Sequence, residues 1–599
     1  LVQHEVMSPQ PHTGLPKVRS LHMRADRFAH ALSGALAALA VAALVAVIAT
    51  VALQAAPVVS EVGLREFLLG QEWMPIDFGF GASYGIANFI AATMVVSALA
   101  LAMAFVVSLG SALFLSCAAN AAVRGALRSA IDLLAGIPSV VFGFVGLEVV
   151  SKAFISAGVP SGNCVLAASI VLAIMVLPFM VSSMTESMLA SKARYLGASR
   201  ALGVPKWCGV YGVVLPASFG NLWPCVMTAF ARAMGETMAV MMVVGNANLF
   251  PQLLGKSETI ASLIALEMGT AEAGSTHMHA LFAAGFVLLV LVLAIDLAAA
   301  GAQKALLQRA SRRRVGMWVL GRAGAVCVRV WACVGMGLVC AVIAFLFGYV
   351  FVQGAGCISW EFVTQSPSGA VLGSEGGIFP AIVGSAWFTG VALVLAAPLS
   401  VGTAAYRVFF CKSGCISSLV GRVISVIAGA PSIVLGLFAY AVLVRDAGLG
   451  RCVLAGGVAL AIMIVPFIEV RVEKAFREVP RALLVQAASL GCSKSYVLRT
   501  LVAPYCRGEV LGAIVLGALY ALGAAAPLIF TGGVAFAPLP SDVFSPAMAL
   551  PLHLYLMLAQ GTTIPQVYAT AFVLMALVLA CNLAVSLYAY IRKKRWMKS

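Results

Sequence analysis

The sequence predicts an all-α polytopic membrane protein of about twelve spans, arranged as two parallel six-helix repeats, because three observations coincide. Hydrophobic residues make up 62% of the chain and charged residues only 10%, with mean hydropathy +1.03; soluble domains carry about a quarter charged residues. Apolar runs of bilayer-spanning length recur from end to end. A polar, basic stretch interrupts them twice: YLGASRALGVPKWCGVYGVVLPAS from Tyr195 to Ser218, and LLVQAASLGCSKSYVLRTLVAPYC from Leu483 to Cys506. Gly203 and Pro216 of the first copy match Gly491 and Pro504 of the second at an offset of 288 residues.

The first 27 residues are polar, end in Lys17, Arg19, Arg24 and Arg27, and read as an unstructured cytoplasmic tail. Ala31–Ala55 follows as an uncleaved first span. The loop of 56–84 sets Glu61, Glu66, Glu72 and Asp77 against Arg65, as on an outer face. Further spans are expected near 87–115, 127–151, 163–186, 217–247 and 277–302. The densest basic segment, Lys304–Arg329 with Arg312, Arg313 and Arg314, then joins the halves. Six more spans are expected near 328–352, 379–405, 418–444, 451–472, 506–531 and 566–591, before the basic tail Arg592–Arg595. The implied domains are a tail over 1–30, transmembrane units over 31–303 and 328–592, a linker over 304–327 between them, and a tail over 593–599.

Of 38 Lys and Arg, 32 fall on one side of this topology, five (Arg65, Lys152, Lys256, Arg445, Arg451) on the other, and Arg232 inside a span. The positive-inside rule makes the rich side cytoplasmic and puts both termini there. An even number of spans in each half makes the repeat parallel. The net charge of +16 therefore orients the chain in a lipid bilayer and does not mark nucleic-acid binding. The fourteen Cys, with Cys411 and Cys415 the closest pair, lack the second pair of a zinc site and read as packing residues.

Two further pairings support the duplication. Leu172–Met180 matches Leu460–Ile468 at the same offset of 288, and Leu134–Leu147 matches Ile427–Tyr440 at 293. The second pair carries Gly-x-Pro-Ser, ending in Ser139 and Ser432. Such a break weakens the helical ladder, and reads either as a packing kink or as pathway lining.

A cation within a span faces a partner or a watery path. Arg232 suits a tetrahedral oxyanion, because its guanidinium stays charged and offers forked donors. Glu236, at i+4, is expected to pair with Arg232 when no anion is present; the competing reading is an ion pair that only locks helices. In the second half these positions and that of Thr237 become Tyr520, Ala524 and Ala525. Gly255-Lys256-Ser257 lacks the leading glycine and strand of a phosphate-binding loop, so no ATP site is expected in the chain. Asp132 and Asp296 sit near span ends, where snorkelling accounts for them, and the seven His form no ligand cluster.

The duplicated loop resembles the EAA loop of ABC importer permeases, with Ala198, Leu202, Gly203 and Pro216 matched by Ala487, Leu490, Gly491 and Pro504. The leading Glu of that pattern is replaced by Gly197 and Val485. Arg232–Val240 with Gly245-Asn246 resembles the signature of the phosphate-specific (Pst) family's PstC subunit; Ala526–Thr531, Ala428–Val434 and Met548–Pro551 resemble its PstA subunit. The resemblance implies a PstC-like half fused to a PstA-like half, a permease that admits inorganic phosphate across the inner (cell) membrane and is not itself an enzyme. It implies two cytoplasmic PstB-like ATP-binding cassette subunits that hold ATP and Mg, with no cofactor in this chain, and an external PstS-like phosphate-binding protein. The implied pathway residues are Arg232, Glu236, Thr237, Ser139, Ser432 and Thr531. The family's second subunit carries Arg and Glu-Thr where this chain has Tyr520, Ala524 and Ala525, so the pathway is asymmetric or the second half is scaffold. An ABC permease for another oxyanion, such as molybdate or sulfate, is the alternative within transport. An ion-coupled secondary transporter would need an embedded acidic relay and gives no reason for duplicated polar loops.

Overall fold

Backbone amides inside a bilayer must be bonded within the protein, and apolar runs of this length do so as helices. The computed structural model describes residues 16–76, 81–312, 322–369, 371–373, 375–561 and 564–596. Among them, eleven helices are long and apolar enough to cross a membrane, or twelve if one bent pair counts as a span. The first half comprises α1 (Pro16–Ala55), α2 (Ala87–Leu113), α3 (Ala121–Ala135), α4 (Ser139–Val145), α5 (Val165–Ala201), α6 (Leu215–Met234), α7 (Met238–Val243), α8 (Ile260–Glu267) and α9 (Thr276–Arg312). The second comprises α10 (Arg322–Ala355), α11 (Phe379–Ala405), α12 (Gly414–Gly429), α13 (Ser432–Ala439), α14 (Val453–Arg477), α15 (Arg481–Ser489), α16 (Ala503–Leu522), α17 (Leu528–Thr531), α18 (Leu550–Ala559) and α19 (Ile564–Trp596). A two-residue antiparallel ribbon precedes the second long helix of each half, pairing Trp73 with Tyr84 in one and Pro367 with Gly376 in the other.

Several expectations are corrected. The first helix starts at Pro16, not at Ala31, because the basic segment behind that proline is made of helix formers; residues 16–27 are therefore not an unstructured tail, and 1–15 lie outside the described residues. The linker is helical up to Arg312 and from Arg322, and its remainder, with Arg313 and Arg314, lies outside the described residues, as do 597–599 of the tail. The spans expected at 127–151 and 418–444 are each two helices, broken at Gly-x-Pro-Ser where the proline lacks a donor; the second pair is bent by 97°. The spans expected to run to 247 and 531 break likewise after Met234 and Leu522. The short helices α8 and α18 occupy stretches expected to be loop. Both are buried in protein, the condition under which non-spanning backbone is tolerated at depth.

The first helix of each half crosses to the other. Helix α1 packs on α9 of its own half and α11 of the second, while α10 packs on α2 of the first half and α19 of its own. Asp26 near the start of α1 accepts hydrogen bonds from the backbone and hydroxyl of Ser495, in the second half's polar loop. Arg232 is not the only embedded cation. Arg407 lies within the span Phe379–Phe410 and bonds Glu469 at 2.8 Å and Glu473 at 2.5 Å, satisfying carboxylates that are otherwise expensive there.

The halves meet at their breaks. A Cβ on Gly235, just past α6, would stand 3.0 Å from the Cα of Pro431; one on Gly523, just past α16, would stand 3.3 Å from that of Pro138. Each Gly-x-Pro-Ser proline is thus backed by the other half's glycine. Alanine at Gly235 would press on the Pro431 backbone and force it to shift, so Gly235→Ala should destabilise the solubilised protein by about 1–3 kcal/mol, and Gly523→Ala by less. Thermal melts of the two variants check this; an equal or larger loss for Gly523→Ala contradicts it.

Candidate functional site

Where the breaks face one another, a cavity of about 390 Å³ lies between the halves. Broken helices leave it lined by helix ends and short polar side chains: Ser139 and Ser432 open α4 and α13, and Arg232 occupies the last turn of α6. Pro178-Phe179 on α5 and Pro466-Phe467 on α14 line it as equivalents, as do Arg232 and Tyr520. Asp132 and Arg471 lie at its edge, and Glu236 in the break beyond α6.

The guanidinium carbon of Arg232 lies 5.1 Å from the ring centre of Tyr520, 5.7 Å from that of Phe179 and 5.8 Å from that of Phe467. The Tyr520 and Phe467 rings are themselves 4.3 Å apart. Cation–π attraction of about 0.5–2 kcal/mol per ring holds the charge without using its N–H donors. Among the described residues, no carboxylate stands within ion-pairing distance of Arg232. The expected Arg232–Glu236 pair is therefore absent as a contact. Helix α6 ends at Met234 and Gly235 caps it, so Glu236 falls past the helix and the i, i+4 geometry does not apply. Its electrostatic neighbours are Arg232 and the Ser139 hydroxyl.

Of the expected pathway residues, the structure brings Arg232, Glu236, Ser139 and Ser432 together. Thr237 is buried beside Glu236 with its hydroxyl unpartnered, and Thr531 donates to the Pro527 carbonyl at 2.7 Å; neither lines the cavity. Sequence reasoning missed Phe179, Phe467, Asp132 and Arg471. The phenylalanines follow the matched prolines Pro178 and Pro466, which was the available signal.

Toward the polar loops, Glu186 of α5 accepts hydrogen bonds from Arg128 at 2.6 Å and from Lys474 of α14 at 3.1 Å. Glu186 and Lys474 are 288 residues apart, so equivalent positions meet across the axis. The loops differ in approach. Helix α5 runs unbroken into the first, with Ala198 in its last turns, whereas Pro480 separates α14 from α15, which carries Ala487. Both end alike. Gly203 and Gly491 adopt φ of 79° and 75°. The next residue, Val204 or Cys492, donates back to Ser199 or Ala487 at 3.2 and 3.1 Å, closing a Schellman cap. The preceding Leu202 and Leu490 stand 84% and 83% exposed, a pair of uncovered apolar tips. Pro216 and Pro504 then open α6 and α16.

Two parallel sets of broken spans around a shared cavity, each with a polar loop at the same end, define the membrane-spanning part of a two-fold transporter. The chain belongs to the family described as binding-protein-dependent transport system inner membrane component, which matches residues 108–312 and again 396–597. It is 35% identical over 238 residues to the probable ABC transporter permease protein YqgH of Bacillus subtilis, covering 39% of this chain and 76% of that protein. It is 36% identical over 250 residues to the phosphate transport system permease protein PstC of Xylella fastidiosa, covering 38% of this chain and 75% of that protein. A probable phosphate transport system permease protein PstA of Methanocaldococcus jannaschii matches at 32% over 186 residues, covering 30% of this chain and 64% of that protein. Two family units with relatives of both kinds make this a fused PstC-like and PstA-like ABC permease.

The loop caps generate a prediction. Valine at Gly203 or Gly491 must adopt a left-handed backbone at a penalty of about 1–2 kcal/mol, although a Cβ would meet no neighbour at either position. Gly203→Val and Gly491→Val should therefore speed amide exchange at Val204 and Cys492 about tenfold while membrane insertion stays normal. Unchanged exchange would mean the caps do not depend on the left-handed turn.

Proposed function

We propose that this chain is the permease of an ATP-driven importer of inorganic phosphate. The observation that carries the reading is Arg232, a cation between the halves whose guanidinium is held by ring faces while its donors remain available to an anion. Forked N–H donors match the oxygens of a tetrahedral oxyanion, and the printed names of the PstC and PstA relatives favour phosphate among these. The exposed Leu202 and Leu490 are the contacts for two cytoplasmic ATP-binding subunits, which bind ATP and Mg and supply the energy. An extracytoplasmic phosphate-binding protein delivers the substrate. Closing the ATPase pair draws the loops together and rocks the halves about the cavity, with both chain termini cytoplasmic. The permease makes and breaks no covalent bond.

Uptake by vesicles that contain the chain, its ATPase and its binding protein tests this, with sulfate and molybdate as competitors. Arg232→Ala should abolish phosphate uptake, and Arg232→Lys should restore little, because a point charge lacks the fork. Glu236→Gln should be milder. Wild-type uptake by Arg232→Ala would refute the anion role, and uptake of molybdate or sulfate in preference to phosphate would move the substrate within the oxyanions.

Both polar loops lie on one polypeptide, so one copy should suffice for a complete permease with two ATPase subunits. The mass of the solubilised complex checks this; two copies of the chain per ATPase pair would contradict it.

A further inference from the structure

Tyr520 stands where the repeat places the equivalent of Arg232, and it is the ring nearest that guanidinium, at 5.1 Å. It lines the same cavity and packs against Phe467 at 4.3 Å. A second arginine at this position would set two like charges against each other across the axis, a conflict that only an anion between them relieves. Tyrosine removes that conflict and replaces a cation with a ring face. The charged side chains lining the cavity are then Arg232 and Arg471 against Glu236 and Asp132. The penalty for removing an ion from water grows with the square of its charge, so a dianion loses about four times the solvation of a monoanion. Here it would find Arg232 placed to meet it, while Arg471 is set against Asp132.

We propose that Tyr520 is a specificity-determining residue that limits the cavity to singly charged tetrahedral oxyanions, dihydrogen phosphate foremost. Its ring steadies Arg232, and its neutrality withholds the second charge that a dianion requires. Phosphate near neutral pH supplies a monoanion, whereas sulfate does not. The inference rests on Arg232 meeting the anion, and the test separates the two.

The full-length chain in nanodiscs is titrated with inorganic phosphate, read as 31P line broadening, and then with sulfate as competitor. Wild-type chain should broaden the phosphate line, and sulfate should displace it poorly. Tyr520→Arg should make sulfate at least about tenfold more effective, the effect of one added charge-assisted contact. Tyr520→Phe, which keeps the ring and the charge count, should retain wild-type discrimination. Tyr520→Lys places a cation at the same position on a more flexible stem, and should shift sulfate competition in the same direction as Tyr520→Arg. That keeps the test decisive if the arginine variant fails to fold. Unchanged sulfate competition in whichever of these two variants folds would overturn the proposal. So would a gain of sulfate competition in Tyr520→Phe, which would assign discrimination to the hydroxyl. Arg232→Ala should abolish broadening; if broadening persists there, the underlying anion site is wrong whatever Tyr520 does.

Discussion

The reciprocal contact of each half's broken helix with the other half's glycine governs the arrangement of this molecule. Pro431 sits against Gly235 and Pro138 against Gly523, so each Gly-x-Pro-Ser break is closed by a contact from the other half. A proline in a span frees a carbonyl and bends the chain, and the bend persists only where a neighbour fits it. Here that neighbour is a glycine at the end of another broken helix. The contact therefore fixes three things together: the break after α3, the end of α6, and the same pair in the second half. The cavity is what remains between these four helix ends, and its polar lining follows from the exposed ends of helices rather than from many charged residues.

A two-fold axis imposes a further constraint, because any residue near it meets its own equivalent. Apolar residues satisfy this readily, as Phe179 and Phe467 do at 5.7 and 5.8 Å from the Arg232 guanidinium. Charges do not, since identical ions repel. The duplicated halves resolve the conflict by divergence. Glu186 faces Lys474, turning a like-charge contact into an attractive one. Arg232 faces Tyr520, turning it into a cation–π contact. The Glu186–Lys474 pair is half exposed and contributes at most about 1 kcal/mol to stability. Its position beside Arg128 at the loop end of the cavity matters more than its strength.

Fold class was legible because two signals, apolar run length and a repeat at 288 residues, are set by covalent sequence alone. The loop glycines were legible as a repeat, and the structure gives the reason: a left-handed turn after a helix selects glycine, and Gly203 and Gly491 supply it. The cavity was half legible. Arg232 stood out as a charge in an apolar run, and Ser139 and Ser432 stood out beside matched prolines. Its remaining walls were hidden because Phe179 and Phe467 are indistinguishable from lipid-facing residues until the halves are packed together. Glu236 was misread for a local reason, since a helix was carried through Gly235, where it in fact ends. Helices α8 and α18 were missed because buried non-spanning helices lack both the length of a span and the polarity of a loop.

Fusion gives the divergence its meaning. Were the halves copies of one chain, a change of Arg232 to tyrosine would remove both cations from the axis at once, and Glu186 would face a second Glu186. With both halves in one polypeptide, each axial position is set independently, and the asymmetric pairs occur once in every molecule. Arg232, the Tyr520 ring beside it and two matched phenylalanines then form an arrangement that no symmetric pair of halves could provide. Tyrosine at position 520 leaves the Arg232 guanidinium with no twin at its equivalent position and, among the described residues, no carboxylate within ion-pairing distance. The second half then supplies a wall of the cavity, because Tyr520, Phe467, Ser432 and Arg471 all come from it.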